Sequence, residues 1–249
     1  MRQNVYDQQD VFENFQNNRL SGRSENDLIE QPAIRSCLPP LTGKSVLDLG
    51  CGGGQLVKYC IEQGASDATG VDLSKNMLDY ARAHHSHDRI TYLQGSLEDI
   101  ELPDNQFDLI VSSLAMHYIG EYERVVQKVV SALRDNGYFI YSALHPHITA
   151  RKLTEGWVRD EAGEKRFWPL DDYLDDGPRD LQVTPDKKAV IYHRSMSSAV
   201  NGLIHAGLAL DQIIEPTCSP EGLILQPHQV VEIRRPTFII FKTQKLTTF

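Results

Sequence analysis

A carboxylate followed by closely spaced glycines stands in the run VLDLGCGGG, where Asp48 precedes Gly50, Gly52 and Gly54. Because glycine has no Cβ, such a run lets the backbone turn tightly and approach a ligand closely. A helix that begins just after the run points its free N–H groups at the same ligand. The segment therefore predicts a site for a nucleotide cofactor.

The spacing of the glycines and the charge of Asp48 separate two kinds of cofactor. A dinucleotide fingerprint requires G-x-G-x-x-G, but its third glycine would fall on Gln55 or on Val57, depending on which glycine begins it. A carboxylate at the end of the strand would repel a pyrophosphate and attract the ammonium and sulfonium groups of S-adenosylmethionine. The residues favour S-adenosylmethionine over NAD.

Two further polar turns follow at intervals along the chain. Asp72 lies in GVDLS, where its carboxylate can accept hydrogen bonds from both ribose hydroxyls of either cofactor. The turn GSLED, which contains Ser96 and Leu97, comes after the next predicted strand and is placed to meet an adenine.

Three side chains are candidates for acid or base catalysis, namely His117, Tyr118 and His145. Each is predicted to follow a strand at the edge that holds the cofactor. A general base is needed only where the accepting atom carries a proton of high pKa, and a loop histidine can equally serve as a structural hydrogen-bonding residue. His84, His85 and His87 are explained as solvated side chains at a helix end, so we expect no metal.

Alternating strands and helices must position these residues. The predicted strands are 45–49, 68–71, 90–93, 107–112, 138–142, 210–215 and 236–242, and the predicted helices are 55–63, 75–83, 121–133 and 196–206. This order is typical of an α/β fold with a doubly wound, mostly parallel sheet covered by helices on both faces. Ser74 is the predicted N-cap of the second helix, and Asn136-Gly137 ends the third.

The alternation breaks down between His145 and about Arg194, where prolines and acidic residues are frequent. We interpret this stretch as an insertion after the fifth strand, and its aromatic residues Trp157, Phe167, Trp168 and Tyr173 could form a lid or a small satellite core. A single domain over 1–249 is expected, with a helical cap at 1–43, a cofactor-binding core at 44–144, the insertion at 145–194, and a C-terminal helix and strands at 195–249.

The ordered motifs VLDLGCGGG, GVDLS, YLQGSLEDI, FDLIVSSLAMHYI and LRDNGYFIYSALHP resemble those of class I S-adenosylmethionine-dependent methyltransferases. The resemblance is closest to the bacterial small-molecule group that includes ubiquinone and menaquinone biosynthesis enzymes, and it covers about Ser45 to Pro146. It implies a Rossmann-like, seven-stranded sheet whose last strand is antiparallel.

The resemblance also implies roles for individual residues. Asp48 would contact the amino group of the cofactor's methionine, Gly50, Cys51, Gly52 and Gly54 would line that moiety, and Ser113 would lie beside it. Asp72 would hold the ribose, while Leu73 and Leu97 would enclose the adenine, with Ser96 where many relatives carry Asp. Arg19, in a polar helical segment with Phe15, Asn18, Asn26 and Glu30, would meet the cofactor's carboxylate or remain solvated.

Composition limits the partners. The chain has 249 residues, 41% of them hydrophobic, and no apolar run approaches the roughly 20 residues that span a bilayer. A formal net charge of -9 disfavours a nucleic-acid substrate. The polar first residues predict a cytoplasmic protein. We therefore expect a small-molecule methyltransferase, with a non-catalytic S-adenosylmethionine sensor or scaffold, or a nucleic-acid or protein methyltransferase, as alternatives and a dinucleotide oxidoreductase last.

Overall fold

A central sheet of seven strands organises the molecule. The computed structural model describes residues 4–152 and 156–247, without the side chains of Leu20 and Glu232. In chain order the sheet strands are β1 (Ser45–Leu49), β2 (Asp67–Asp72), β3 (Ile90–Gln94), β4 (Phe107–Ser112), β5 (Leu133–Leu144), β10 (Leu208–Ile214) and β11 (Phe238–Lys245). Their order across the sheet is β10-β11-β5-β4-β1-β2-β3.

Five neighbouring strands, in the order β3-β2-β1-β4-β5 across the sheet, pair in parallel. Strand β11 runs antiparallel to both of its neighbours, β5 and β10. The strand order reverses between β1 and β4, which is where open parallel sheets leave a crevice for ligands. The predicted Rossmann-like α/β fold, with its antiparallel last strand, is confirmed.

Helices cover both faces of the sheet. They are α1 (Gln9–Leu20), α2 (Gln31–Cys37), α3 (Gln55–Glu62), α4 (Lys75–His84), α5 (Tyr122–Ala132), α6 (Pro146–Thr149), α7 (Met196–His205) and α8 (Pro220–Leu225). Leu47 and Leu49 of β1 pack with α5 and α7, while Val46 of the same strand packs with α2 and α3. All five residues of β1 are buried, because a strand in the middle of a covered sheet has no solvent face.

Two segments differ from the sequence prediction. β5 begins at Leu133 rather than at Tyr138, and the predicted stop at Asn136-Gly137 lies inside it, where Asn136 has φ of 62° and the pairing with β4 shifts register. The stretch after β5 is more regular than its composition suggests, because it forms two antiparallel hairpins. These are β6 (Val158–Arg159) with β7 (Lys165–Phe167), and β8 (Gly177–Thr184) with β9 (Lys187–His193).

Within the described ranges, every helix is too short or too polar to cross a membrane.

Ser74 joins two elements that frame the candidate site. Its hydroxyl accepts a hydrogen bond from Met77 N at 3.2 Å, which confirms the predicted N-cap, and donates one to Asp7 Oδ1 at 2.6 Å. We expect Ser74→Ala to lower the free energy of unfolding by about 1–2 kcal/mol, because the helix loses its cap. Urea unfolding measures this, with exposed Ser66→Ala as the control. Equal midpoints for the two variants would contradict the prediction.

Candidate functional site

The turn between β1 and α3 has a shape that only glycine permits. Gly50 has φ of +78°, and the amides of Gly50 and Cys51 both donate to Val71 O, at 2.8 and 2.9 Å. A Cβ built on Gly50 would lie 2.3 Å from the Cβ of Ala115. The turn is therefore held closely against β2 and against the segment after β4.

Gly52 faces open space rather than protein. Its φ is +51°, and a Cβ built on it meets no atom within 4 Å. Its amide donates to Asp72 Oδ2 at 2.8 Å, and Gly54 is the N-cap residue from which α3 starts. The turn thus leaves room for a ligand next to a carboxylate and a helix N-terminus.

Asp48 is buried at the carboxyl end of β1, with a side-chain oxygen that lacks a partner. It is 2% exposed, and its Oδ1 makes no hydrogen bond to any of the described residues. Burial raises its pKa well above the usual range, and the nearby carboxylates of Asp72 and Glu30 raise it further. A buried, unsatisfied carboxylate is costly, and a cationic ligand would relieve that cost.

Asp72 ends β2 across the same crevice. Its Oδ2 accepts from Gly52 N and its Oδ1 accepts from Ser74 N, both at 2.8 Å. Burial raises its pKa, while these two amide bonds act in the opposite direction. The amides fix the carboxylate's orientation, and each oxygen retains a lone pair that could accept from a ribose hydroxyl.

Glu30 is a third buried carboxylate. The sequence predicts only that it lies in the helical cap. It closes a short π-helix, Asn26–Glu30, and its Oε1 accepts from the hydroxyls of Ser113 at 2.9 Å and Ser142 at 2.5 Å. Burial raises its pKa, which these hydroxyls and the charge of Arg19 lower in part. The network ties the cap to the ends of β4 and β5, beside Asp48.

Arg19 lies near this carboxylate but is engaged by its own segment. Its guanidinium donates to Asn26 and forms an ion pair with Asp27 at 3.0 Å. The predicted role of Arg19 toward a cofactor carboxylate therefore competes with a local partner, and it stays a prediction.

The first described residues extend over the rim of the crevice. Asn4 Nδ2 donates to Leu73 O at 3.4 Å, and Asp7 Oδ1 accepts from Asn76 N at 3.1 Å. Tyr6 OH is 2.8 Å from Tyr118 OH, so this segment bridges the ends of β2 and β4. Nothing in the spacing of Tyr6 along the sequence could have indicated this contact.

On the predicted adenine side, the three residues differ in exposure. Leu97 is buried in the core on the α5 side of the sheet, whereas Leu73 and Ser96 are partly exposed. The hydroxyl of Ser96 accepts from Glu98 N at 3.3 Å. Glu98 in turn accepts from Gly120 N and Glu121 N at 2.9 Å, which ties this turn to the start of α5.

The predicted catalytic side chains have different hydrogen-bonding states. His145 is engaged at both ring nitrogens, with Nε2 2.8 Å from Glu215 Oε1 and Nδ1 accepting from His147 N at 3.3 Å. Tyr118 is bonded to Tyr6, and burial raises its pKa well above the usual range. His117 is buried, and its Nδ1 has no hydrogen-bond partner in the described part of the chain. Burial lowers the pKa of His117 to about 3.

The two tryptophans of the insertion lie beside Arg234 and Arg235. The rings of Trp157 and Trp168 meet edge to face at 5.8 Å, and the guanidinium of Arg235 lies 4.5 Å from the centre of the Trp168 ring. Phe167 is 56% exposed, and Tyr173 OH accepts from Met196 N at 3.1 Å. The lid role predicted for these side chains stays a prediction.

Together, the carboxylates and the glycine turn form a negatively charged crevice at the point where the strand order reverses. Asp48, Asp72 and Glu30 are close enough for their charges to interact. These groups fit a cationic nucleoside, because one carboxylate has an unsatisfied oxygen, another is oriented by amides, and Gly52 borders open space.

Comparisons with known proteins support this interpretation. A family model described as a methyltransferase domain matches residues 47–141. A crystal structure of an S-adenosylmethionine-dependent methyltransferase from Mesorhizobium loti is 36% identical, with a TM-score of 0.80, and the match covers 86% of this chain and 97% of that one. An uncharacterised protein of Haemophilus influenzae is 32% identical over 97% of both chains.

A named relative matches over a shorter range. The malonyl-[acyl-carrier protein] O-methyltransferase of Pectobacterium atrosepticum is 32% identical over 55% of this chain. The chain spans about half the length of that relative, 53% of it.

Proposed function

The chain belongs to the S-adenosylmethionine-dependent methyltransferases, and from that premise we propose that it transfers a methyl group to an oxygen, nitrogen or carbon atom of a small-molecule acceptor by in-line displacement. S-adenosylmethionine is accordingly its cofactor. The observation that carries the proposal is the unsatisfied, buried carboxylate oxygen of Asp48 beside Asp72 and Glu30.

When bound, the cofactor supplies an activated methyl group on a sulfonium centre. We assign Asp48 to its ammonium group and Asp72 to its ribose hydroxyls, with Gly50, Cys51, Gly52 and Gly54 forming the backbone surface that it meets. Leu73, Ser96 and Leu97 are assigned to the adenine, and Ser113 to the methionine end. We add Glu30 to this set, because its negative charge acts on Asp48 and raises the pKa of that carboxyl further.

Transfer from a sulfonium needs chiefly that the acceptor be held in line, so positioning is the main task of the protein. Of the three predicted catalytic side chains, His117 is the one with an unpartnered ring nitrogen among the described residues. With a pKa near 3 its imidazole is neutral at pH 7 and weakly basic. We therefore assign His117 to holding the acceptor, and His145 and Tyr118 to maintaining the loops around it.

A small-molecule acceptor is favoured by two observations. The net charge of -9 opposes the approach of a phosphate backbone. A ubiquinone biosynthesis O-methyltransferase of Vibrio vulnificus, named for modification of a small molecule, is 31% identical over 43% of this chain, although the match covers only 47% of that protein.

Calorimetric titration with S-adenosylhomocysteine, with NAD as the control ligand, tests the cofactor assignment. We expect one saturable site for S-adenosylhomocysteine and none for NAD. Tritiated methyl transfer into a cell extract, fractionated into small molecules, protein and nucleic acid, tests the reaction. Label in the small-molecule fraction supports the proposal, and label in either polymer fraction contradicts the acceptor class. Binding without label in any fraction would indicate a sensor or scaffold instead of an enzyme.

A further inference from the structure

A small cavity lies beside the ends of β4 and β5, next to the residues that the proposed reaction would use. Its volume is about 30 Å³, and its walls include His117, Arg194, Tyr122, Tyr141, Tyr192 and Thr149. His117 belongs to the loop after β4, which also carries Ser113, and Thr149 belongs to α6 just after β5. The cavity is therefore lined in part by segments that follow β4 and β5, at the same edge of the sheet as the proposed cofactor crevice.

Arg194 brings a positive charge to this cavity, and no carboxylate of the described residues forms an ion pair with it. Its guanidinium donates to the carbonyl oxygens of Ile119 and, at 3.4 Å, Gly120. It also lies 4.7 Å from the centre of the Tyr122 ring. Burial lowers its pKa, and Glu123 and Asp176 oppose this only by Coulomb attraction, with no ion pair to Arg194 among the described residues.

His117 supplies a second, independent observation. The side chain is 6% exposed, and its Nδ1 is a buried polar atom without a hydrogen-bond partner. A buried polar atom without a partner is rare in native proteins and commonly marks a place where a ligand or water binds. Because the imidazole is neutral, the tautomer with a proton on Nδ1 can donate to an anion.

We propose that the methyl acceptor carries a carboxylate and that this carboxylate binds in the cavity against the guanidinium of Arg194, with the imidazole of His117 beside it. The inference rests on the proposed function, since it names the acceptor class of the same site. Carboxylate oxygens match the planar donors of a guanidinium, and a desolvated setting strengthens such charge-assisted bonds. The Tyr122 ring packs against the same guanidinium.

The free space in the cavity is small. About 30 Å³ holds about two water-sized groups, which matches the two oxygens of a carboxylate. We therefore expect a carboxylate to bind more tightly than the larger, tetrahedral phosphate. The rest of the acceptor would extend from the cavity toward Ser113.

Histidine-labelled protein observed by NMR can test the site with acetate as the probe. The His117 resonance is assigned by its absence from His117→Gln. We expect saturable shifts of this resonance with acetate and none with acetamide, which has a similar shape but no charge. Arg194→Met should weaken acetate binding at least tenfold, Arg194→Lys should weaken it less, and Arg134→Met, at the opposite edge of the sheet, should leave it unchanged.

Three outcomes would overturn the proposal. They are equal shifts with acetate and acetamide, acetate binding that survives in Arg194→Met, and inorganic phosphate binding more tightly than acetate. The wild-type comparison of acetate with acetamide needs no variant, so it holds even if Arg194→Met fails to fold. The titration is run with and without S-adenosylhomocysteine to separate the two proposals. Loss of nucleoside binding contradicts the methyltransferase assignment, whereas the response of the His117 resonance to acetate can still be measured.

Discussion

Replacing Asp48 with asparagine is expected to lower the affinity for S-adenosylhomocysteine by between about 10- and 100-fold. The variant keeps the shape of the side chain and removes the charge that we assign to the ligand's ammonium group. Hydrogen bonds to charged groups contribute about 1.5–3 kcal/mol, which corresponds to that range of affinity. Calorimetry measures it, with Asp67→Asn as the control. Asp67 lies at the opposite end of β2, where Ser45 and Ser66 donate to its carboxylate.

The same substitution is expected to stabilise the ligand-free protein as the pH rises. Burial raises the pKa of Asp48 in the folded state, so folding favours its neutral form. The stability that this group contributes is present at low pH and is lost as the pH rises through the folded pKa. Asparagine is neutral throughout, so the melting temperature of Asp48→Asn should exceed that of the wild type by a margin that grows above the ordinary pKa range of aspartate.

Thermal melts from pH 4 to pH 8 measure this margin, and Asp72 and Glu30 titrate in both proteins. Two results would contradict the assignment of Asp48. One is that the variant binds the nucleoside as tightly as the wild type. The other is that the melting temperature of the variant, relative to that of the wild type, is lower at pH 8 than at pH 4. Lower affinity together with higher stability is the pattern expected of a residue kept for its ligand and not for the fold.

Much of the fold was predictable because its signals are local. β1 and β4 have the bounds that their apolar runs predict, and the helix after Ser74 begins at its N-cap. Patterns of this kind depend on residues that are near one another in sequence. The start of β5 was missed because Asn136 adopts a left-handed conformation within the strand, which a short apolar pattern does not reveal.

The candidate site was predictable only for those residues that lie on one strand or in the turn that follows it. Asp48 and Asp72 follow from strand ends, whereas the bond from Ser142 to Glu30 joins residues 112 positions apart. Arg194 reaches the carbonyl of Ile119 from the end of the second hairpin, 75 positions along the chain. Such contacts are set by tertiary packing, and no spacing in the sequence encodes them. β9 was obscured in the same way, since its alternating buried residues Ala189, Ile191 and His193 stand among prolines and charges.

The glycine turn offers a second test, in which two neighbouring substitutions should act on different properties. In Gly50→Ala the new Cβ would lie 2.3 Å from the Cβ of Ala115 at φ of +78°. We expect a loss of about 3 kcal/mol, since overpacking costs about 1–3 kcal/mol and a left-handed alanine costs about 1–2 kcal/mol. The melting temperature should fall by about 6–12 °C. Adding Ala115→Gly should recover the steric part of this loss.

Gly52→Ala is expected to destabilise the fold less than Gly50→Ala does and to impair cofactor binding. Its Cβ meets no protein atom within 4 Å, so only the cost of the left-handed backbone remains, about 1–2 kcal/mol. The added methyl group would occupy space beside the Asp72 carboxylate that we assign to the nucleoside, so affinity for S-adenosylhomocysteine should fall at least tenfold. Melting curves and calorimetry on both variants measure the contrast. If Gly52→Ala binds S-adenosylhomocysteine as tightly as the wild type, the open space beside Gly52 is not where the cofactor lies. The added methyl group contacts no protein atom that would move it out of that space.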